Sequence, residues 1–268
     1  MTLNITIVGA GISGLCTAIA LRRAGHKVQV RLLGTYEIPF ISTDNRQIFE
    51  KSHFATEIGA AVSLAPNGVV VLQSLGFNFI RAQACRHKTW EVLNGQTFER
   101  LALQKLDDIA HITGVDYWTV HRVDLHKELL RLALDANIGD HDTAPVKIHY
   151  GALVRDVDAL NGLIYLADGS VHEADLVIAA DGIHSTVRGC VVPSHLNNRA
   201  IETGVSAFRF LLPSEMLQAR PDIMAVMRKK TGDTALLADT MNVVRDSYMV
   251  WYGCRGYVTL ICRSIRYN

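Results

Sequence analysis

The chain opens on an alternation, with Leu3, Ile5 and Ile7 apolar and Asn4 and Thr6 polar between them, and this period of two predicts a strand running to Val8. Gly9-Ala10-Gly11-Ile12-Ser13-Gly14 follows. Leu15, Ala18 and Ile19 then share a helical face, so a first helix is expected from about Ser13 to Ala24 with Gly25 as its stop. Lys27-Val28-Gln29-Val30 begins a second strand, and Pro66 to Leu75 is helical up to Gly76. Thr89 to Leu93 and Gln96 to Leu101 read as strands joined by a two-residue turn at Asn94-Gly95. A third helix follows Asp124, placed to cap it, with Leu125, Leu129 and Leu132 on one face. Ala152–Val157, Leu163–Ala167 and Ser170–His172 form a meander with turns at Asn161-Gly162 and Asp168-Gly169. The unbroken apolar run Leu176 to Ala180 predicts a strand buried on both faces. From about Ile201, short strands with Phe208, Phe210, Trp251 and Tyr252 predict a separate sheet.

A strand, a G-x-G-x-x-G turn and a helix in this order make a cradle for a dinucleotide pyrophosphate. Gly9 permits the tight turn, Gly11 lets backbone approach the phosphates, and Gly14 lets the helix pack close to the strand. The helix N-terminus adds unpaired N–H groups and the positive end of its dipole. The fold class expected is α/β: a Rossmann-like dinucleotide-binding domain with a parallel sheet and a β-meander, plus a mixed sheet. Residues 1–188 are assigned to the first, with 31–47 as an inserted loop and about 77–117 contributing to the second. Residues 189–268 form the second.

Composition narrows the classes. The 268 residues are 49% hydrophobic and 20% charged, as in an ordinary folded protein. With 27 basic and 26 acidic side chains, no nucleic-acid footprint is visible. Five scattered cysteines without a C-x-x-C pair, and eleven histidines without ligand spacing, point to no metal site and to reduced thiols in the cytoplasm. Met1 to Leu21 lacks charge, yet three glycines and the absence of a basic leader argue against a membrane anchor. No G-x-S-x-G elbow surrounds Ser185, which fits a helix cap better than a nucleophile.

Four segments, in order, resemble the FAD-dependent aromatic-ring monooxygenases, the p-hydroxybenzoate hydroxylase and salicylate hydroxylase group. They are Gly9–Gly14; Ile48-Phe49-Glu50-Lys51-Ser52 with Glu57-Ile58-Gly59-Ala60-Ala61 and Leu64-Ala65-Pro66-Asn67; Val120-His121-Arg122-Val123-Asp124-Leu125; and Ala174-Asp175-Leu176 through Ala180-Asp181-Gly182-Ile183-His184-Ser185-Thr186-Val187-Arg188. The resemblance implies FAD as cofactor, NAD(P)H as electron donor, and O2 used to hydroxylate a small aromatic substrate; it makes residues 1–188 an FAD/NAD(P)-binding domain, with about 77–117 contributing to the substrate region, and 189–268 a partial mixed-sheet substrate domain. It assigns Gly9, Gly11, Gly14, Glu50, Lys51, Gly59, Ala60, Arg122, Asp181 and Gly182 to cofactor binding, and Arg209 to the substrate or flavin side as the catalytic candidate. Glu50 would accept from the adenosine ribose hydroxyls, and Arg122 would neutralise phosphate or fix the flavin. Plainer readings stay open beside these: a solvated loop glutamate, a surface arginine opening a helix, an Asp-Gly turn at residues 181 and 182, and an exposed strand arginine at 209. Oligomeric state is left open.

The sequence departs from the family pattern twice. Residues 31–47 separate Val30 from Ile48, whereas direct joining gives Val-Gln-Val-Ile-Phe-Glu-Lys-Ser, so this stretch reads as an insertion, a retained gene segment that transcript sequencing tests. The family's later Gly-Asp segment with His-Pro and Gly-Gln-Gly-like followers has no counterpart at Gly139-Asp140 or Gly232-Asp233. The chain therefore reads as a shortened form in which water exclusion at the flavin is weakened. Two rivals accompany this reading: a catalytically inactive remnant that binds FAD weakly or not at all, and a simple NAD(P)-dependent dehydrogenase, which would need neither the meander nor Asp181-Gly182.

Overall fold

In the computed structural model the described residues are 1–31, 61–94, 97, 99–136, 144–192, 205–222, 237–242, 247–255 and 257–265. They group as two units, residues 1–57 with 129–200 and residues 58–128 with 201–268.

In the first unit the alternating N-terminus forms β1 (Asn4–Val8), and α1 (Ile12–Arg23) follows its glycine turn. Leu15, Ala18 and Ile19 are buried as their spacing requires, which stabilises the helix by about 1.5–3 kcal/mol per large aliphatic side chain. β1 is flanked in parallel by β2 (Lys27–Arg31) and β12 (Leu176–Ala179), and β8 (Lys147–His149) extends the sheet in the order β12-β1-β2-β8. β9 (Val154–Asp158), β10 (Leu163–Leu166) and β11 (Val171–Glu173) form the expected antiparallel meander. Its turns follow Asx chemistry. Asp158 Oδ1 accepts from Leu160 and Asn161 N–H at 3.0 and 3.1 Å, and Asp168 Oδ1 accepts from Ser170 N–H at 2.9 Å. Val8 joins Val154, Val157, Ile164 and Leu166 in one apolar cluster, so the meander packs on the sheet.

The outer strand corrects an expectation. β12 is exposed at Leu176 (42%) and Ala179 and only half-buried between them. It is an edge strand among the described residues, and a groove of about 400 Å³ lined by Val157, Asn161, Leu176, Val187 and Val191 runs beside it. An apolar run reports affinity for burial, not its completion.

The second unit contains β3 (Ala61–Leu64), α2 (Pro66–Ser74), β4 (Cys85–His87), β5 (Thr89–Asn94), β6 (Arg100–Lys105), α3 (Leu106–Thr113), β7 (Tyr117–His121) and the first seven residues of α4 (Arg122–Leu134). Its later half supplies β13 (Val205–Pro213), α6 (Ser214–Gln218), β14 (Leu237–Asn242), β15 (Ser247–Cys254) and β16 (Tyr257–Ile265), while the short α5 (Arg188–Val191) belongs to the first unit. The separate sheet is present, but with six strands, β13-β16-β15-β14-β5-β6, because β5 pairs in parallel with β14. A three-stranded sheet, β3-β7-β4, accompanies it.

Two further expectations change here. The β5–β6 hairpin has no two-residue turn: Asn94 N–H bonds Glu99 O at 2.8 Å, Asn94 Oδ1 accepts from Thr97 N–H at 3.1 Å, and the second strand starts at Arg100. The asparagine side chain builds a longer loop in place of the tight turn. Asp124 is not the cap of α4, which starts at Arg122. It lies in the first turn, where a carboxylate suits the dipole, and pairs with Arg255 at 3.1 Å without hydrogen-bond alignment. Arg255 holds a left-handed φ of +51° in the β15–β16 turn, a conformation costing on the order of 1 kcal/mol that this ion pair helps offset.

Long-range bonds close the unit. Thr119 hydroxyl donates to Gly253 O at 2.7 Å, so its oxygen accepts from His87 Nε2 at 2.7 Å. The buried Tyr252 hydroxyl donates to Ala61 O at 2.8 Å. Burial pushes the Tyr252 phenol up to about 12, with Cys254 adding to the rise and Arg209 opposing it. Tyr252→Phe leaves that carbonyl orphaned and is expected to cost about 1–2 kcal/mol by urea unfolding. Because the folded pKa is the higher one, the phenol's contribution is intact below pH 10 and is lost as pH rises towards about 12. A Tyr252→Phe chain keeping the parent's alkaline unfolding slope would contradict this.

Candidate dinucleotide site

At the carboxyl end of β1 the chain turns sharply at Gly9, with φ +106°. Gly9 N–H donates to Arg31 O at 2.7 Å and Ala180 N–H donates to Val8 O at 2.8 Å, so β2 and β12 clamp the turn from both sides. A Cβ at Gly9 would drive into the Ala180 carbonyl, and one at Gly14 into the Gly9 carbonyl. A Cβ at Gly11 would meet nothing within 4 Å. Two glycines are therefore required by backbone packing, and the middle one leaves space above the backbone. Gly11 is also the N-cap of α1, which has no side-chain cap and no acidic residue in its first turn. Its leading N–H groups and dipole thus have no competing carboxylate. An open backbone patch at a helix N-terminus is what a pyrophosphate needs, so the residues present fit FAD.

Asp181 and Gly182 lie beside this turn, just past β12. The Asp181 carboxylate folds back into its own loop, where Oδ2 accepts from Thr186 N–H at 2.7 Å and Val187 N–H at 3.1 Å. Burial pushes its pKa up, but the Ser185 hydroxyl and the backbone N–H donors outweigh burial and leave it below the usual carboxylate value. Ser185 Oγ accepts from Arg188 N–H at 2.9 Å, but Ser185 is not the cap expected from the sequence: α5 starts at Arg188 with Val187 as its N-cap and no side-chain cap; Arg188 Nη2 donates to Ile183 O at 2.8 Å. Arg188 and the Ala180 carbonyl were not singled out from sequence; the Ser185-x-x-Arg188 spacing was the signal for the first. With a depressed folded pKa, Asp181 contributes stability above its unfolded value, and that contribution is lost as pH falls through the folded one. Asp181→Ala is expected to lower stability by about 1–2 kcal/mol at pH 7, after discounting for solvent screening, and to flatten the slope below about pH 4. Equal acid unfolding curves for the two chains would remove Asp181 from this role.

In the first unit the structure thus brings together Gly9, Gly11, Gly14, Asp181 and Gly182. Arg122 and Arg209 belong to the second unit. Arg122 is the exposed first residue of α4. Arg209 is exposed on β13, in register with Ile261 and so on the sheet face that carries Val250 and Tyr252. Glu50, Lys51, Gly59 and Ala60 lie outside the described residues. Among the described residues no helix is long and apolar enough to cross a membrane, and Cys16, Cys85, Cys190 and Cys254 are free thiols.

The profile of a family described as FAD binding domain matches residues 2–253. Hispidin-3-hydroxylase of Neonothopanus nambi is 30% identical over 261 residues, covering 95% of this chain and 56% of that protein. The 3-amino-4-hydroxybenzoate 2-monooxygenase of Streptomyces cremeus is 30% identical over 231 residues, covering 84% of this chain and 50% of its own length. The chain therefore spans about half the length of these relatives. The crystal structure of Klebsiella pneumoniae HpxO complexed with FAD and uric acid superposes with a TM-score of 0.69 at 22% identity, over 98% of this chain and 56% of that one, which shows a shared fold. A glycine turn shaped for a pyrophosphate and a family match across nearly the whole sequence give one answer: this chain belongs to the FAD binding domain family, together with FAD-dependent aromatic-ring monooxygenases.

Proposed function

We propose that the protein is an FAD-dependent monooxygenase that takes electrons from NAD(P)H and hydroxylates an aromatic or related small ring compound. The observation that carries this reading is the turn at residues 9–14, closed on the Ala180 carbonyl at Gly9, on the Gly9 carbonyl at Gly14, and open at Gly11. The relatives' names, a hispidin hydroxylase and an aminohydroxybenzoate monooxygenase, point to electron-rich hydroxylated rings as the substrate class.

In this reading the N–H groups of α1 and the Gly11 backbone hold the pyrophosphate. Glu50 serves the adenosine ribose, with Lys51, Gly59 and Ala60 beside the cofactor. Arg122 supplies positive charge to phosphate or flavin, and Asp181 and Gly182 shape the loop against which the cofactor lies. Arg209 faces the substrate. Bound flavin supplies the redox chemistry, passing electrons from NAD(P)H to O2 so that one oxygen atom enters the ring, while the protein binds, orients and excludes water.

A second reading, a chain that holds FAD weakly and does not turn over, is favoured by the open outer side of β12 and its exposed Leu176. The purified protein discriminates between the two. A yellow preparation with oxygen-dependent NADPH or NADH oxidation supports the monooxygenase. A colourless, aggregation-prone one supports the second reading, and NADH oxidation without flavin overturns both.

A further inference from the structure

β2 ends on a residue at odds with its surroundings. Arg31 lies in parallel register with Val8 on β1 and His149 on β8, so the three side chains share one face of the sheet. On that face Val8 packs into the apolar cluster beneath the meander. Arg31 is only 4% exposed, its Nε is buried without a hydrogen-bond partner, and His149 Nε2 beside it is in the same state. The titratable and charged groups around the pair are Asp168, His172 and Lys147. Asp168 alone has the opposite sign, and its carboxylate is already bonded to the Ser170 N–H and hydroxyl on an exposed turn. Burial pushes the Arg31 pKa down; burial and then Arg31 do the same to His149. Buried polar atoms in folded proteins are almost always partnered, so two orphans side by side mark a conflict between sequence and fold.

The sequence contains the side chain that would remove the conflict. Ile48-Phe49-Glu50 is strand-forming in composition, and placing Ile48 directly after Val30 puts an isoleucine opposite Val8 in the position Arg31 now holds. The same step moves Glu50 from 36 to 19 residues beyond Gly14, close to the spacing of about 20 at which this kind of fold places its ribose carboxylate. Between these points lie Pro39 and the Ser42-Thr43-Asp44-Asn45 cluster, a turn-type composition that can be added at a strand end at little closure cost. We infer that residues 31–47 are a removable insert, and that the dinucleotide-binding form of this protein is the chain in which Ile48 follows Val30. The cofactor half of this inference rests on the flavin reading above.

Three chains test it: the full protein, full-length Arg31→Ile, and the chain lacking residues 31–47. Each is unfolded thermally and titrated with FAD by fluorescence quenching. Arg31→Ile is expected to raise Tm by about 3–8 °C. The deleted chain is expected to unfold cooperatively, above the Tm of the full protein, and to bind FAD at least about tenfold more tightly. A deleted chain without a cooperative transition overturns the inference, as does an Arg31→Ile protein no more stable than its parent. Deletion that raises Tm while neither chain takes up flavin upholds the insert and rejects the flavin reading. Flavin binding by the full chain that deletion leaves unchanged does the reverse.

Discussion

Gly14→Ala is expected to cost about 3 kcal/mol or more and to lower Tm by on the order of 10 °C, whereas Gly11→Ala leaves Tm nearly unchanged. The difference follows from what each added methyl meets. At Gly14 it enters the Gly9 carbonyl, and the Ala180 side chain stands 3.4 Å away, so relief requires α1 to move off β1 and β12. At Gly11 it meets no protein atom and occupies the space assigned to the pyrophosphate. FAD binding should therefore fall in both variants, by about a hundredfold for Gly11→Ala if the phosphates lie against that backbone. Thermal unfolding with a flavin titration checks both halves. A Gly11→Ala protein that binds FAD like the parent would remove the pyrophosphate from this turn.

Arg22→Ala is expected to destabilise the protein by about 3 kcal/mol, through a contact far from any proposed chemistry. Arg22 is 2% exposed, and its Nη1 donates to Ala133 O at 3.2 Å and Asp135 O at 2.8 Å, at the carboxyl end of α4. These carbonyls have no partner within their own helix, and a guanidinium both satisfies them and complements the negative end of the dipole. Burial lowers the Arg22 pKa and Asp135 raises it. Ala133 O keeps its bond from the Val146 N–H at 3.1 Å, so the loss comes from the bond to Asp135 O and from the alkyl packing. Arg22→Met, which keeps much of the packing, should recover about 1 kcal/mol of it. A loss under about 0.5 kcal/mol in urea for Arg22→Ala would show that α4 is held elsewhere.

The parts of this fold legible in the sequence are those where one residue type is demanded by local geometry. Gly9, Gly11 and Gly14 fall into three different environments, each predicted from spacing alone. Gly162 and Gly169 take the positive φ that their turns require. What failed to show depends on distant partners. The exposure of β12 concerns what lies across its outer side, which no local pattern encodes. Asp181-Gly182 fits a ligand site and a self-bonded loop equally well by composition, and only the distances to Thr186 and Val187 show the loop. α3 carries its own signals, with Asp107 and Asp108 in its first turn and Gly114 closing it at φ +75°, but its eight residues follow directly on a strand and give only two turns of helical period. Arg31, assigned by the sequence to the inserted loop, is the buried last residue of β2, and its burial depends on strands far away in the chain.

The bonds that close the second unit have a consequence for how the protein is made. Tyr252 reaches Ala61 across 191 residues of sequence, and Thr119 reaches Gly253 across 134. Strands completed early in synthesis must wait for partners that leave the ribosome much later, by about 7 to 40 s at 5–20 residues per second. During that interval β5 lacks its neighbour β14, and β3 and β7 lack the bonds to β15, and such non-local pairing is slow once it becomes possible. Yield from a cell should therefore depend on chaperone supply and on a lowered growth temperature more than on codon choice at the N-terminus.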